Sequence, residues 1–231
     1  MLFTQTIETG TLDLIKRLMQ DPEFDDFNLV GGTALALKLG HRKSIDIDLF
    51  TNKGFDSDRI LKRLKGQYGS ENNVAIQNGI FCLIDGVKTD FIAHQYPLIN
   101  PIEELEGIRM ASLEDIEAMK LNAILNSGAR LKDFVDIFSL LECRPLNKLT
   151  EAFVKKYPNV NKQMAHNAMI YFNDINARQR IDFVDREIHL KEIKSRLNTA
   201  VGDEDRIFYS LNPENRLKQS DTPRKGQRPK W

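Results

Sequence analysis

The chain holds 231 residues, 41% of them hydrophobic, with 33 Lys and Arg against 33 Asp and Glu, so its formal net charge is zero. That length can bury the core of one large or two modest domains, two being the expected arrangement, and the charge balance excludes a uniformly basic nucleic-acid coat. Two cysteines, Cys82 and Cys143, show neither metal-ligand spacing nor a disulfide framework, which fits a reducing, cytoplasmic setting.

Leu12, Ile15 and Leu18 or Met19 recur at helical spacing behind Thr11, which reads as an N-cap, so the first element is an amphipathic helix. Phe27 to Val30 follows as a buried strand, and Ala34 to Leu39 as a short helix stopped by Gly40. Between them lies the glycine turn Gly31-Gly32-Thr33. Glycines without Cβ let backbone N–H groups approach phosphate oxygens, and the helix that follows turns its positive end toward the same anion. The next segment, Ser44-Ile45-Asp46-Ile47-Asp48-Leu49-Phe50, alternates as a strand. Asp46 and Asp48 then share one face while Ile45, Ile47 and Leu49 point into the opposite layer. Paired oxygen ligands beside a phosphate-binding turn suit Mg²⁺ or Mn²⁺ carrying a nucleoside triphosphate.

A helix carrying Ile60, Leu61 and Leu64 follows Ser57, and Asn78-Gly79 and Asp85-Gly86 mark two hairpin turns. They imply antiparallel strands near Val74–Gln77, Ile80–Ile84 and Val87–Ala93, with Lys88, Asp90 and Ile92 on one face, so Asp90 is available as a third carboxylate. From Ser112 the period lengthens to that of a helix. Ser112-Leu113-Glu114-Asp115 has the form of a capping box ahead of Ile116, Met119, Ala123 and Ile124. Lys132 to Leu141 gives a second helix ending near Pro145, with further helical periodicity at Met164–Phe172 and Ile188–Leu197. The expected division is an α/β domain over 1–110, a helical domain over 111–200, and a polar, flexible tail over 201–231. In the tail, Lys218, Arg224, Lys225, Arg228 and Lys230 with Trp231 either contact RNA or remain solvated. Residues 1–6 lack the features of an export signal, and no run is apolar enough to span a bilayer, so no membrane partner is expected.

Several separated motifs resemble the AbiEii/AbiGii toxin-type nucleotidyltransferase family of the polymerase-β-like superfamily. Gly31-Gly32-Thr33-Ala34-Leu35-Ala36-Leu37 with His41-Arg42-Lys43-Ser44-Ile45-Asp46-Ile47-Asp48-Leu49-Phe50 is similar to the first family motif, and Lys88-Thr89-Asp90-Phe91 to the second. Ala118-Met119-Lys120-Leu121-Asn122-Ala123-Ile124 and Lys132-Asp133-Phe134-Val135-Asp136-Ile137 are similar to its later Lys and Asp motifs. The resemblance runs from about residue 12 to residue 200. It implies an α/β (α+β) fold with a polymerase-β-like core, a short mixed sheet and a helical C-terminal domain. It also implies metal ligation by Asp46, Asp48 and Asp90, a triphosphate cradle at Gly31, Gly32 and Thr33, and phosphate contacts from Lys120. Asp133 then aids the acceptor, with Asp136 as its rival for that role. Arg42 and Ser44 either touch phosphate or brace the loop. Where relatives place an arginine before the last motif, this chain reads Asn126-Ser127-Gly128-Ala129-Arg130, with Arg130 able to compensate one turn later.

The implied activity moves a nucleoside monophosphate from an NTP to an acceptor, RNA or tRNA by resemblance, in a bacterial toxin–antitoxin or phage-defence setting with a cognate antitoxin. Two alternatives stand beside it. One is a small-molecule (antibiotic-type) or protein nucleotidyltransferase, since the metal core does not choose the acceptor. The other is a catalytically silent nucleotide-binding module.

Overall fold

The computed structural model describes residues 1–209. Its first helix, α1 (Thr9–Met19), buries Leu14, Ile15, Leu18 and Met19 along one stripe. Glu8, not Thr11, is the N-cap, and Thr11 lies buried inside the helix. The correction has a simple cause: the apolar stripe starts only at Leu12, so the pattern hides the first turn.

Strand β1 (Asn28–Leu29) leads into α2 (Gly31–Leu39). Thr33 to Leu37 are buried without interruption, the signature of a helix enclosed on all sides. α2 begins at Gly31, three residues before the expected start, so the glycines are its first turn and not a separate loop. It ends where Gly40 adopts φ 72° and returns its N–H to Ala36 O at 2.8 Å, a left-handed cap that glycine adopts without strain. β2 (Ile47–Thr51) is shorter than expected at its start. Ile47 and Leu49 enter the core, whereas Ile45 is 58% exposed on the irregular lead-in and does not share their layer.

After α3 (Ser57–Tyr68), strands β3 (Glu71–Ile76), β4 (Gly79–Ile84) and β5 (Val87–Ala93) form the two expected hairpins. Their turns place Asn78, Asp85 and Gly86 at positive φ, the conformation such tight turns demand. A third hairpin, β6 (Glu103–Leu105) and β7 (Ile108–Met110), turns at Glu106-Gly107 and was not expected. Among the described residues seven strands form one mixed sheet in the order β3-β4-β5-β2-β1-β7-β6, with β2 parallel to β5.

The helices after residue 110 are α4 (Leu113–Asn126), α5 (Leu131–Leu140), α6 (Leu146–Lys156), α7 (Lys162–Met169) and α8 (Leu190–Gly202). Ser112 caps α4 by accepting the Asp115 N–H at 3.1 Å. The carboxylate of Asp115 does not close the box; it takes N–H groups from Ile99 and Asn100 and the ammonium of Lys156 at 2.7 Å. Pro145 opens the unexpected α6 as its N-cap, and α7 stops at Met169, short of Phe172. Within residues 203–209, the start of the expected tail, Asn147 N–H donates to Glu204 O and Phe208 N–H to Leu141 O. The basic residues from Lys218 to Trp231 lie outside the described residues. One hydrophobic core joins Leu29, Leu35 and Ile47 to Ile116, Phe134 and Phe153, crossing residue 110 without a break.

Candidate active site

A cavity of about 500 Å³ lies between the sheet and helices α4 and α5. Parallel pairing of β2 and β5 sets Asp48 directly opposite Asp90 on its floor. Lys88 Nζ lies 2.6 Å from Asp90 Oδ2, while Asp90 Oδ1 is buried without a hydrogen-bond partner among the described residues. Burial raises the Asp48 carboxyl, with Asp90 and Asp46 pushing the same way and Lys120 and Lys88 opposing. Gly31, at φ +70°, presses its backbone on this group: a Cβ there would stand 2.2 Å from Asp48 Oδ2. Asp46 lies just before β2, at the cavity edge, with Oδ2 3.6 Å from Lys132 Nζ. Among the described residues, no three His, Cys, Asp or Glu side chains converge into a metal-binding cluster.

The remaining first-motif residues divide between the cavity and its support. Gly31, Gly32, Arg42 and Ser44 line the cavity, and Thr33 does not. Fully buried Thr33 instead donates its hydroxyl to the carbonyl of Asp46 and shares a 2.9 Å hydrogen bond with Ser44 Oγ. The Thr33 side chain thus fixes the segment that carries Asp46.

The opposite wall is a buried charge cluster. Arg42 forks onto Asp136 through Nε at 2.7 Å and Nη2 at 3.0 Å. His41 Nε2 lies 2.8 Å from the same carboxylate, and Lys120 Nζ lies 2.7 Å from Asp136 and 2.9 Å from Asp133. Burial alone would raise the Asp136 carboxyl, yet Arg42 and Lys120 outweigh it and hold the group well below the ordinary carboxylate range. Burial opposes the charge of Lys120 too, and Asp136 and Asp133 overcome it, so the ammonium is retained. Lys120 and Asp133 therefore meet at the cavity wall as a pair. Asp136 is fully enclosed behind them as their anchor.

Ser127 is the exposed C-cap of α4, away from the cavity lining. Arg130 does line it, with a 60% exposed side chain whose Nε lies 2.8 Å from Asp133 Oδ2. Sequence reasoning missed Lys132, Gln179, Phe50, His94 and Tyr157 as lining residues. The strand period signals two of them: Phe50 follows Asp48 by two residues, and His94 follows Asp90 by four. Tyr157 sits at the end of the unexpected α6 and has no such signal.

Facing carboxylates on neighbouring parallel strands, with a glycine-opened helix set against one of them, form the cavity floor of this mixed α/β fold, and the chain is a nucleotidyltransferase. Residues 13–73 and 67–206 match the family described as nucleotidyl transferase AbiEii toxin, type IV TA system, and the chain belongs to this family. It is 36% identical over 182 residues to an uncharacterized protein of Aquifex aeolicus, covering 74% of this chain and 84% of that one. The nucleotidyltransferase toxin MenT4 of Mycobacterium tuberculosis shares the fold with a TM-score of 0.56 at 16% identity, over 88% of this chain and 83% of that chain. Among the described residues no helix is long and apolar enough to cross a membrane.

Proposed function

We propose that the protein transfers a nucleoside monophosphate from an NTP to RNA, with a tRNA end as the acceptor, in a Mg²⁺- or Mn²⁺-dependent reaction. The observation that carries this reading is the Asp48–Asp90 pair on the cavity floor, with Asp48 held against the Gly31 backbone. Asp90 keeps one buried oxygen without a hydrogen-bond partner among the described residues, and the neighbouring Asp48 carboxyl is raised by burial, so a divalent cation would favour the ionised form of both. Hard divalent ions take one or two carboxylates and complete their shell with substrate phosphates and water, so the donor set fits. Asp46 would join Asp48 and Asp90 as a ligand by releasing Lys132. When bound, the ion supplies Lewis-acid stabilisation of the phosphoryl oxygens and acidifies a bound hydroxyl.

The chain's own groups do the rest. The backbone of Gly31 and Gly32, at the positive end of α2, receives triphosphate oxygens. Lys132, Arg130 and Lys120 neutralise the departing pyrophosphate, with Asp133 orienting both Lys120 and Arg130. The acceptor oxygen bonds to the α-phosphorus as the bond to the bridging oxygen breaks, pyrophosphate leaves, and the hydroxyl proton passes to solvent water. In this scheme residues 1–110 form the nucleotidyltransferase domain and 111–200 the helical wall of the cleft. The setting is the cytoplasm, with a separately encoded antitoxin as partner.

The test is incubation of wild type and Asp46→Asn/Asp48→Asn protein with Mg²⁺, each labelled NTP and total bacterial RNA. Label in RNA from the wild type alone supports the reading. Label on protein or on a small molecule would replace the acceptor, and no label in any fraction would overturn transfer itself.

A further inference from the structure

The cavity is chemically divided along the strands. Lys132 meets Asp46 where β2 begins, with Arg42 and Arg130 on the same basic side. Beyond the carboxylates, where β2 and β5 end, the lining becomes aromatic and apolar: Phe50, Ile92, His94 and Tyr157. Phe50 is two residues past Asp48, about 7 Å along the strand, and His94 four residues past Asp90, about 13 Å. Those spans, counted from the floor carboxylates, are of the order of a ribose with its base.

The rings at this end are ordered as a platform. Phe50 and His94 have centroids 5.7 Å apart at 38°, and His94 and Tyr96 4.8 Å apart at 41°. Buried Tyr157 lies behind them, its hydroxyl 2.9 Å from His94 Nε2. Burial lowers the His94 pKa to about 4, so the imidazole is an uncharged ring across the physiological range. A purely structural aromatic cluster would be enclosed. Here Tyr96 is 44% exposed, and Phe50 and His94 are half-buried on the wall of the cavity.

We propose that Phe50 and His94 form a stacking subsite for a nucleobase, with Tyr157 as the positioning residue that fixes the imidazole. The inference rests on the reading that the carboxylate floor binds a nucleotide. The planar base can come from the incoming NTP or from the terminal nucleotide of the acceptor; stacking is the chemistry common to both.

The experiment is calorimetric titration of wild type, Phe50→Leu and His94→Gln with each NTP and with inorganic tripolyphosphate in Mg²⁺, alongside KM for RNA. Phe50→Leu keeps the apolar bulk and removes the ring, and equal melting temperatures establish that each variant folds. For an NTP base, the wild type binds its NTP on the order of tenfold tighter than tripolyphosphate. The variants lose that margin while tripolyphosphate affinity holds. For an acceptor base, the margin survives and KM for RNA rises on the order of tenfold. Tyr157→Phe shifts the same constant in the same direction, with kcat unchanged. Folded variants that alter neither constant would overturn the subsite alone. A wild type that binds neither NTP nor tripolyphosphate would overturn the nucleotide reading and the subsite with it.

Discussion

The backbone of Gly31 occupies the space that would otherwise separate it from Asp48: a Cβ on residue 31 would lie 3.0 Å from Asp48 Cγ and closer still to its Oδ2. Gly31→Ala therefore displaces a floor carboxylate and adds the strain of a left-handed backbone, about 1–2 kcal/mol. The expected outcome is a lowered melting temperature with transfer activity lost. A variant that turns over at the wild-type rate would refute the role of this contact.

Asp48→Asn separates stability from chemistry. The substitution removes a carboxylate that burial disfavours, so in EDTA at neutral pH the variant should melt at or above the wild-type temperature. Added Mg²⁺ should stabilise only the wild type, by about 2.7 kcal/mol when the ion exceeds its dissociation constant a hundredfold. Equal stabilisation of both proteins would remove Asp48 from the proposed metal set.

The anchor at Asp136 should behave oppositely. Asp136→Asn leaves Arg42 buried without its counter-charge and Lys120 with Asp133 alone, a loss of about 3–5 kcal/mol. Because the folded carboxyl lies well below the ordinary range, its contribution is present above the unfolded pKa of about 3.9 and is lost as the pH falls through the folded value. The stability gap between wild type and variant should be constant from neutral pH down to about 4 and narrow in stronger acid. Denaturant melts across that range would show it, and a gap that widens in acid would contradict the ion-pair account.

Glu117 gives the reverse pH dependence. Burial raises this α4 carboxyl to about 8 against the opposing charge of Arg144, 3.6 Å away, and neither of its oxygens accepts a hydrogen bond from the described residues. Folding then binds a proton that the unfolded chain releases, so the contribution is full below the unfolded pKa of about 4.3 and is lost as pH rises through the folded value. Glu117→Gln should gain on the wild type progressively between about pH 5 and pH 8 in thermal melts. A parallel offset at all pH values would mean that the residue does not titrate there.

Most of what was legible in the sequence depended on local demands. Asn78, Asp85 and Gly86 announce hairpins because few residues tolerate the required φ, and Gly40 announces the end of α2 for the same reason. The misreadings come from signals that local pattern does not carry. Pro145 can stop one helix or open the next, and reading it only as a stop concealed α6 and with it Tyr157. Three-residue strands such as β6 and β7 are too short to display a period. The alternation through Ile45 continued one strand rhythm into a segment that is not strand. The motif residues themselves were visible, but their pairing was not. Lys120 and Asp133 are neighbours only because α4 and α5 pack together, and Thr33 turns to Ser44 and Asp46 only once α2 is buried.

The core that passes from the sheet to α6 without interruption has a thermodynamic consequence. Leu29 on β1, beside β2, and Phe153 on α6 belong to one apolar cluster, so they should melt in one cooperative step. No part of the carboxylate floor then has a private stability. The fraction of molecules in which the floor carboxylates keep their geometry is set by the global unfolding equilibrium, and apolar volume trimmed from Phe153 lowers that fraction as surely as volume trimmed beside Asp48.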